Sequence, residues 1–127
     1  MTIRTILASL AFLASAGAAH AGEVVPYDAQ AIARAQAGGA PIVIHVTAPW
    51  CPTCRAQKPI VQSLAEDPAN PDLIVFDVDF DTQQDVLRQF DVRYQSTLIA
   101  FRGTEERMRS IGVTDPAGIA DLIAATR

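Results

Sequence analysis

The chain has very few cysteines: Cys51 and Cys54 are the only two among its 127 residues. A small protein held together by a disulfide framework needs several cysteines at wider spacings, so this type of scaffold is excluded. Two thiols three positions apart are typical of a redox pair that alternates between dithiol and disulfide. A static disulfide or a metal clip is the alternative, but neither requires a tryptophan beside the pair, where Trp50 stands.

Basic residues and ligand-binding motifs are also scarce. Ten lysines and arginines stand against 14 aspartates and glutamates, which gives a formal net charge of −4. The chain therefore lacks the basic face that a nucleic-acid partner requires, and we expect no nucleic-acid binding. It contains no glycine-rich nucleotide loop and no serine-hydrolase motif. We expect no cofactor besides a redox-active disulfide between the two cysteines, and we expect a monomer.

The longest apolar run lies at the N-terminus. Residues 1–21 contain one cation, Arg4, then an apolar run at 6–14 and the small-residue ending Ala19-His20-Ala21. This order predicts a secretory signal peptide at 1–21 and a mature domain at 22–127, in the periplasm or outside the cell, where disulfides persist. The alternative is a retained membrane anchor, but the run is shorter than the roughly 20 residues of a spanning helix.

Strand-like and helix-like segments alternate along the predicted mature domain. The β-branched run Ile42–Thr47 predicts a buried central strand, and a helix follows from Pro52 to about Glu66. The other predicted elements are a short edge strand at 23–26, a helix at 29–37, a strand at 73–78, a helix at 83–90 capped by Thr82, a strand at 97–101, a hairpin turn at Gly103 into a strand at 107–111, and a helix from Asp115-Pro116. This order predicts an α/β fold with a mixed sheet and helices on both faces.

Four features together resemble the thioredoxin family. They are the apolar strand before Trp50-Cys51-x-x-Cys54, Pro59 five residues after the second cysteine, the segment Val92-Arg93-Tyr94-Gln95-Ser96-Thr97-Leu98 before a strand, and the glycines Gly103 and Gly112 around a hairpin. The resemblance implies a thioredoxin fold, with about four main strands, a possible short edge strand and four flanking helices. It also implies a thiol–disulfide oxidoreductase whose partners are protein thiols and disulfides.

The residues of the motif favour reduction of disulfides over their formation. Cys51-Pro52-Thr53-Cys54 is similar to the active sites of periplasmic thioredoxin-like reductases that serve cytochrome c maturation. This narrower resemblance implies a reductase that a membrane electron donor keeps reduced. The opposite direction, an oxidase, uses the same chemistry with a different reduction potential.

The position of the pair at a helix entrance predicts a role for each sulfur. Cys51 stands just ahead of the helix, where unpaired N–H groups and the helix dipole stabilise a thiolate. Pro52 costs nothing at the first helical position, because its missing N–H is not needed there. We therefore predict that Cys51 is an exposed nucleophile and that Cys54, one turn further in, resolves the mixed disulfide. Trp50, Pro52 and Thr53 are expected to contact the substrate.

One departure from the family lies on the central strand. His45 stands where the family has a buried acidic residue that accepts a proton from the resolving cysteine, and Asp77 stands where it has the partner lysine. Our hypothesis is that His45, oriented by Asp77, takes the proton from Cys54 as it attacks. The alternative is a neutral core histidine that bonds to Asp77 and has no catalytic part.

A second departure is Ser96, which stands where the family keeps a cis-proline that faces the sulfurs. A cis bond before a non-proline residue costs about 3–4 kcal/mol, which favours a trans Gln95–Ser96 bond, but the sequence alone leaves cis and trans open. In the family, the backbone of the residue matching Gln95 pairs with the substrate, and Ser96 adds a hydroxyl that can bond a sulfur.

Loss of the proline ring also leaves open a thioredoxin-fold protein that binds Cu, Zn or an iron–sulfur cluster through the two thiolates. The alternatives are a conservative local repacking around Ser96 and a docking module whose cysteine pair is inert.

Overall fold

The computed structural model describes residues 20–127 as five strands and four helices. In chain order the elements are β1 (Glu23–Pro26), α1 (Ala29–Ala37), β2 (Pro41–Thr47), α2 (Pro52–Glu66), β3 (Ile74–Asp79), α3 (Gln84–Gln89), β4 (Thr97–Arg102), β5 (Glu105–Ile111) and α4 (Pro116–Ala124). The predicted signal peptide lies almost entirely outside the described residues. None of the helices in the described range is long and apolar enough to cross a membrane.

The five strands form one mixed sheet with the order β1-β3-β2-β4-β5. β3 pairs in parallel with both β1 and β2, whereas β4 is antiparallel to β2 and to β5. The predicted mixed sheet is confirmed, and the segment Glu23–Pro26 is its short edge strand. The strand before the cysteine pair, β2, is central in the sheet, so its end lies well supported between β3 and β4.

Apolar side chains cover both faces of the sheet. Ile42, Ile44 and Val46 point to one face and pack in a cluster with residues of α1 and α3. Val43 points to the other face and packs with residues of α2 and α4. A strand buried on both faces has a nearly continuous apolar run, which is why β2 does not alternate with polar residues. His45 interrupts this run on the face covered by α2.

The predicted start of α3 is wrong. The helix is Gln84–Gln89, its N-cap is Gln83, and no side chain caps it. Thr82 instead belongs to the preceding turn, where its backbone N–H donates to Oδ1 of Asp79 at 2.9 Å. The cap at Asp115 is confirmed, since its side chain accepts from the N–H of Gly118.

The turn between β4 and β5 and the end of β5 both use glycine where the backbone is left-handed. Gly103 has φ = 58° and Gly112 has φ = 76°, a region that residues with a Cβ adopt at a cost. The predicted hairpin flanked by these glycines is confirmed. The Gly112 N–H donates to the carbonyl of Ser96 at 3.0 Å, so the second turn brings the chain back against the cysteine pair.

Candidate active site

The two cysteines lie at the N-terminus of α2 and are joined by a disulfide. Cys51 is the N-cap residue, and Pro52 occupies the first turn as predicted. Sγ of Cys51 accepts a hydrogen bond from the backbone N–H of Cys54 at 3.1 Å. A free helix N–H aimed at a sulfur stabilises negative charge on that sulfur, which favours thiolate once the disulfide is reduced.

Both sulfurs are covered in this oxidised state. Cys51 is 1% exposed and Cys54 is 0% exposed, so the prediction of an exposed sulfur on Cys51 is wrong for the disulfide form. Ala48 belongs to the same buried cluster as the two cysteines, and Phe80 packs against it. Ala48 is close to Cys51 in the chain, whereas Phe80 comes from a distant segment, and an incoming substrate must displace part of this cover to reach Cys51.

Ser96 lies directly against the disulfide. Its Oγ is 3.1 Å from Sγ of Cys51 and 3.1 Å from Sγ of Cys54. The peptide bonds of residues 20–127 include no cis bond, so Gln95–Ser96 is trans. The Ser96 backbone has φ = 61°, and its N–H donates to the carbonyl of Val46 at 2.8 Å. The hydroxyl thus occupies the side of the sulfurs where the resemblance to the family placed a proline ring.

Behind the cysteines, His45 is held by two side chains. Its Nδ1 lies 3.1 Å from Oδ1 of Asp77, and its Nε2 lies 3.1 Å from Oε1 of Gln57. The predicted contact between His45 and Asp77 is therefore present. Sγ of Cys54 instead faces Ser96 and the carbonyl of Val46, the latter at 4.0 Å. The proposed proton transfer from Cys54 to His45 stays a prediction.

Large side chains are exposed beside the covered sulfurs. Trp50 is 55% exposed, so it is not a core residue, and its Nε1 donates to Oδ2 of Asp81 at 2.8 Å. Tyr94 is 59% exposed, and its neighbour Gln95 is partly exposed. Pro52 is exposed as well. Exposed aromatic side chains next to a reactive centre offer apolar contact area to a protein partner.

A turn anchored by Asp79 supports the partner of Trp50. Oδ1 of Asp79 accepts from the backbone N–H groups of Asp81 and Thr82, both at 2.9 Å. The bond from Thr82 is the main cause that holds the pKa of Asp79 below its usual value of 3.8. The turn fixes the backbone of Asp81, whose carboxylate then holds the indole of Trp50.

The family model described as thioredoxin matches residues 28–125 of this chain. The chain belongs to the thioredoxin family. A thioredoxin H-type from Brassica campestris is 38% identical over 71 residues, which are 56% of each chain, so the match spans about half the length of this curated relative. The crystal structure of Trxlp from Edwardsiella tarda is 46% identical with a TM-score of 0.77, covering 80% of this chain and 98% of that chain. The crystal structure of oxidised thioredoxin O2 from Arabidopsis thaliana is 26% identical with a TM-score of 0.68, covering 82% of this chain and 92% of that chain.

The site places a Cys-x-x-Cys pair at the N-terminus of a helix, an arrangement that can carry out thiol–disulfide exchange. The fold predicted from the resemblance is confirmed, with a five-stranded mixed sheet and four helices. Within residues 20–127, no group of three or more His, Cys, Asp and Glu side chains is placed to hold a metal ion. In that part of the chain, the metal-binding alternative therefore has no third His, Cys, Asp or Glu ligand beside the two sulfurs.

One residue of this thioredoxin site was not found from the sequence. Gln57 is completely buried, and it is bonded to His45, Ser96 and Val113. A signal was present, because Gln57 falls on the buried stripe of α2, whose remaining members are Cys54, Val61 and Ala65. A polar residue on an apolar helix face needs buried partners, so its position alone pointed to a hydrogen-bonded network.

Proposed function

We propose that this protein is a periplasmic or secreted thiol–disulfide oxidoreductase that reduces disulfides in protein substrates. The observation that carries the proposal is the N-cap position of Cys51, with the N–H of Cys54 bonded to its sulfur. This geometry favours a thiolate on Cys51 and keeps a second thiol one helical turn away, where it can attack.

The reaction has two exchange steps. In the first, the thiolate of Cys51 forms a bond to one sulfur of the substrate disulfide, and the substrate S–S bond breaks. The departing substrate sulfur leaves as a thiolate and takes a proton. In the second, Cys54 loses its proton and attacks Sγ of Cys51, which forms the Cys51–Cys54 disulfide and releases the second substrate sulfur. The substrate gains two electrons and the protein loses two.

A reductase needs a donor that returns the protein to the dithiol form. We propose a membrane electron donor that supplies two electrons through its own dithiol. The predicted signal peptide and the likeness of Cys51-Pro52-Thr53-Cys54 to periplasmic reductases support this setting. The protein would then act between the membrane donor and oxidised substrate proteins.

Substrate recognition is assigned to the surface around the disulfide. Trp50, Pro52 and Thr53 are adjacent to the two cysteines in the chain, and Gln95 and Ser96 lie on the loop before β4. We propose that the side chain of Trp50 contacts the substrate and that the backbone at Gln95 pairs with an extended substrate segment. This recognition is tolerant of sequence because most of it uses backbone groups and an aromatic face.

The reduction potential of the Cys51–Cys54 couple tests the proposal. The purified protein is equilibrated in glutathione buffers while the fluorescence of Trp50, its only tryptophan, is followed. A potential of about −270 to −230 mV is the expected result for a reductase, whereas a value near −120 mV would make the protein an oxidant. Absence of any reversible two-electron transition would contradict the proposal and favour metal binding through the thiolates.

Turnover of a disulfide substrate separates this function from an inert docking module. We expect reduction of insulin disulfides by the protein with a dithiol donor, and we expect Cys51→Ser to abolish it. Turnover that Cys51→Ser leaves unchanged would mean that the cysteine pair takes no part in the reaction.

A further inference from the structure

Both polar atoms of the Gln57 side-chain amide are hydrogen-bonded inside the protein. It is 0% exposed, its Nε2 donates to the carbonyls of Ser96 at 3.2 Å and Val113 at 2.8 Å, and its Oε1 lies 3.1 Å from Nε2 of His45. An apolar residue of similar volume in a buried position avoids the cost of burying an amide, so stability alone does not call for a glutamine here. The amide is better explained by what it holds in place.

The residue that Gln57 holds has a costly backbone conformation. Ser96 has φ = 61°, and a non-glycine residue in this region costs about 1–3 kcal/mol unless its surroundings enforce it. The surroundings here are three hydrogen bonds to the backbone groups of Ser96, two from other backbone groups and one from the side chain of Gln57. The Ser96 N–H donates to Val46, and the Ser96 carbonyl accepts from Gly112 and from Gln57.

The result of this conformation is the position of the Ser96 hydroxyl. Oγ lies 3.1 Å from each sulfur of the disulfide. A hydroxyl is a donor that rotates to suit its acceptor, and its bond to a charged sulfur is stronger than its bond to a neutral one. Reduction that creates a thiolate on Cys51 therefore strengthens this contact. A stabilised reduced form raises the reduction potential.

We propose that Gln57 is a positioning residue for the redox site and that it acts through Ser96. It clamps the Ser96 carbonyl to the loop after β5 at Val113, which keeps the Ser96 hydroxyl against the sulfurs and raises the reduction potential of the pair. The inference rests on the proposed oxidoreductase function. It adds a residue of α2, three positions after Cys54, whose side chain bonds to His45, Ser96 and Val113 rather than to a sulfur.

Reduction potentials of four proteins test this role: the wild type, Gln57→Met, Ser96→Ala and the double variant, each equilibrated with glutathione. Loss of the hydroxyl is expected to lower the equilibrium constant for reduction about tenfold, which corresponds to roughly 30 mV more negative. Gln57→Met alone is expected to lower the equilibrium constant for reduction about threefold. In the Ser96→Ala background it is expected to change nothing, because Gln57 acts through the Ser96 hydroxyl, which is then absent.

Gln62→Met is the matched control. Gln62 lies on the same helix, is exposed, and bonds to Glu66 rather than to the redox site. Its potential is expected to equal that of the wild type. If Gln57→Met does not fold, Gln57→Glu keeps the length and the acceptor for His45, but its carboxylate cannot donate to Ser96 and Val113. It is expected to lower the potential in the same direction.

Two results would overturn the inference. One is a folded Gln57→Met or Gln57→Glu protein with the wild-type potential. The second is a fully additive double variant, which would show that Gln57 does not act through Ser96. Both of these results are measured on the variant proteins, while the wild type still shows its two-electron transition. Failure of the proposed function is seen in the wild type itself, as a missing two-electron transition.

Discussion

Nδ1 of His45 lies 3.1 Å from Oδ1 of Asp77, and the parallel register of β2 and β3 places these two residues directly opposite each other. The hydrogen bonds of Gln57 indicate which hydrogen the other ring nitrogen of His45, Nε2, carries. Nε2 of Gln57 donates to two carbonyls, so its Oε1 is an acceptor and Nε2 of His45 must carry a hydrogen. Nδ1 then faces a carboxylate oxygen of Asp77. A proton from Cys54 therefore reaches Nε2 of His45 only if the Gln57 amide turns away.

His45→Ala tests whether this network takes part in the second exchange step. Our hypothesis expects release of the mixed disulfide to slow about a hundredfold, a typical contribution of a proton acceptor. The first attack by Cys51 is expected to be unchanged, because it requires no proton transfer to His45. Single-turnover kinetics with a disulfide substrate measure the two steps separately. Equal slowing of both steps would mean that His45 has only a structural part.

A second variant guards against a folding defect in His45→Ala. The double change His45→Asp with Asp77→Lys restores the acid and the lysine that the family resemblance places at these positions. It is expected to recover most of the release rate that His45→Ala loses. A folded double variant that stays as slow as His45→Ala would argue against proton transfer at this position.

The different roles of the two cysteines predict different trapped species. Cys54→Ser keeps the nucleophile but lacks the resolving thiol, so it is expected to accumulate a mixed disulfide with a protein substrate. Cys51→Ser is expected to trap none, although it retains one thiol and is the matched control. Mass spectrometry under non-reducing conditions measures the adduct. An adduct on Cys51→Ser of equal yield would reverse the assignment of nucleophile and resolving cysteine.

The turn at Asp79 predicts a pH-dependent contribution to stability. Its pKa is lowered in the folded protein, chiefly by the bond from the Thr82 N–H. The contribution is therefore present above the unfolded pKa and is lost as the pH falls through the lower folded value. Asp79→Ala is expected to lower the free energy of unfolding at pH 7 by less than about 1 kcal/mol, because the turn is partly exposed.

Urea denaturation at pH 7 and in acid measures this effect. The difference between wild type and Asp79→Ala is expected to shrink in acid, where the wild-type carboxylate becomes protonated. Asp121→Ala, at an exposed position on α4, is the control and is expected to change little at either pH. A difference that is the same at both pH values would contradict the assignment to the ionised carboxylate.

Local signals were sufficient to predict the position of the cysteine pair but not its surroundings. The N-cap position of Cys51 follows from residues adjacent to it, since Pro52 favours a helix start. The cover on Cys51 depends on Phe80 and Ser96, which are far away in the chain. Likewise, Gln57 bonds to carbonyls 39 and 56 residues further on. Such contacts arise only from the packing of the whole fold, so patterns along the sequence do not show them.

The exposed indole of Trp50 predicts a selective loss of activity on large substrates. It is 55% exposed beside the disulfide, so Trp50→Ala removes contact area for a protein partner but none of the reacting atoms. We expect kcat/KM for insulin to fall about tenfold, a typical cost of removing an aromatic anchor, while the rate with a small aromatic disulfide stays near that of the wild type. Met108→Ala, another exposed apolar side chain but on β5, is expected to change neither. Equal losses on both substrates would place Trp50 in the chemistry of the sulfurs rather than in docking.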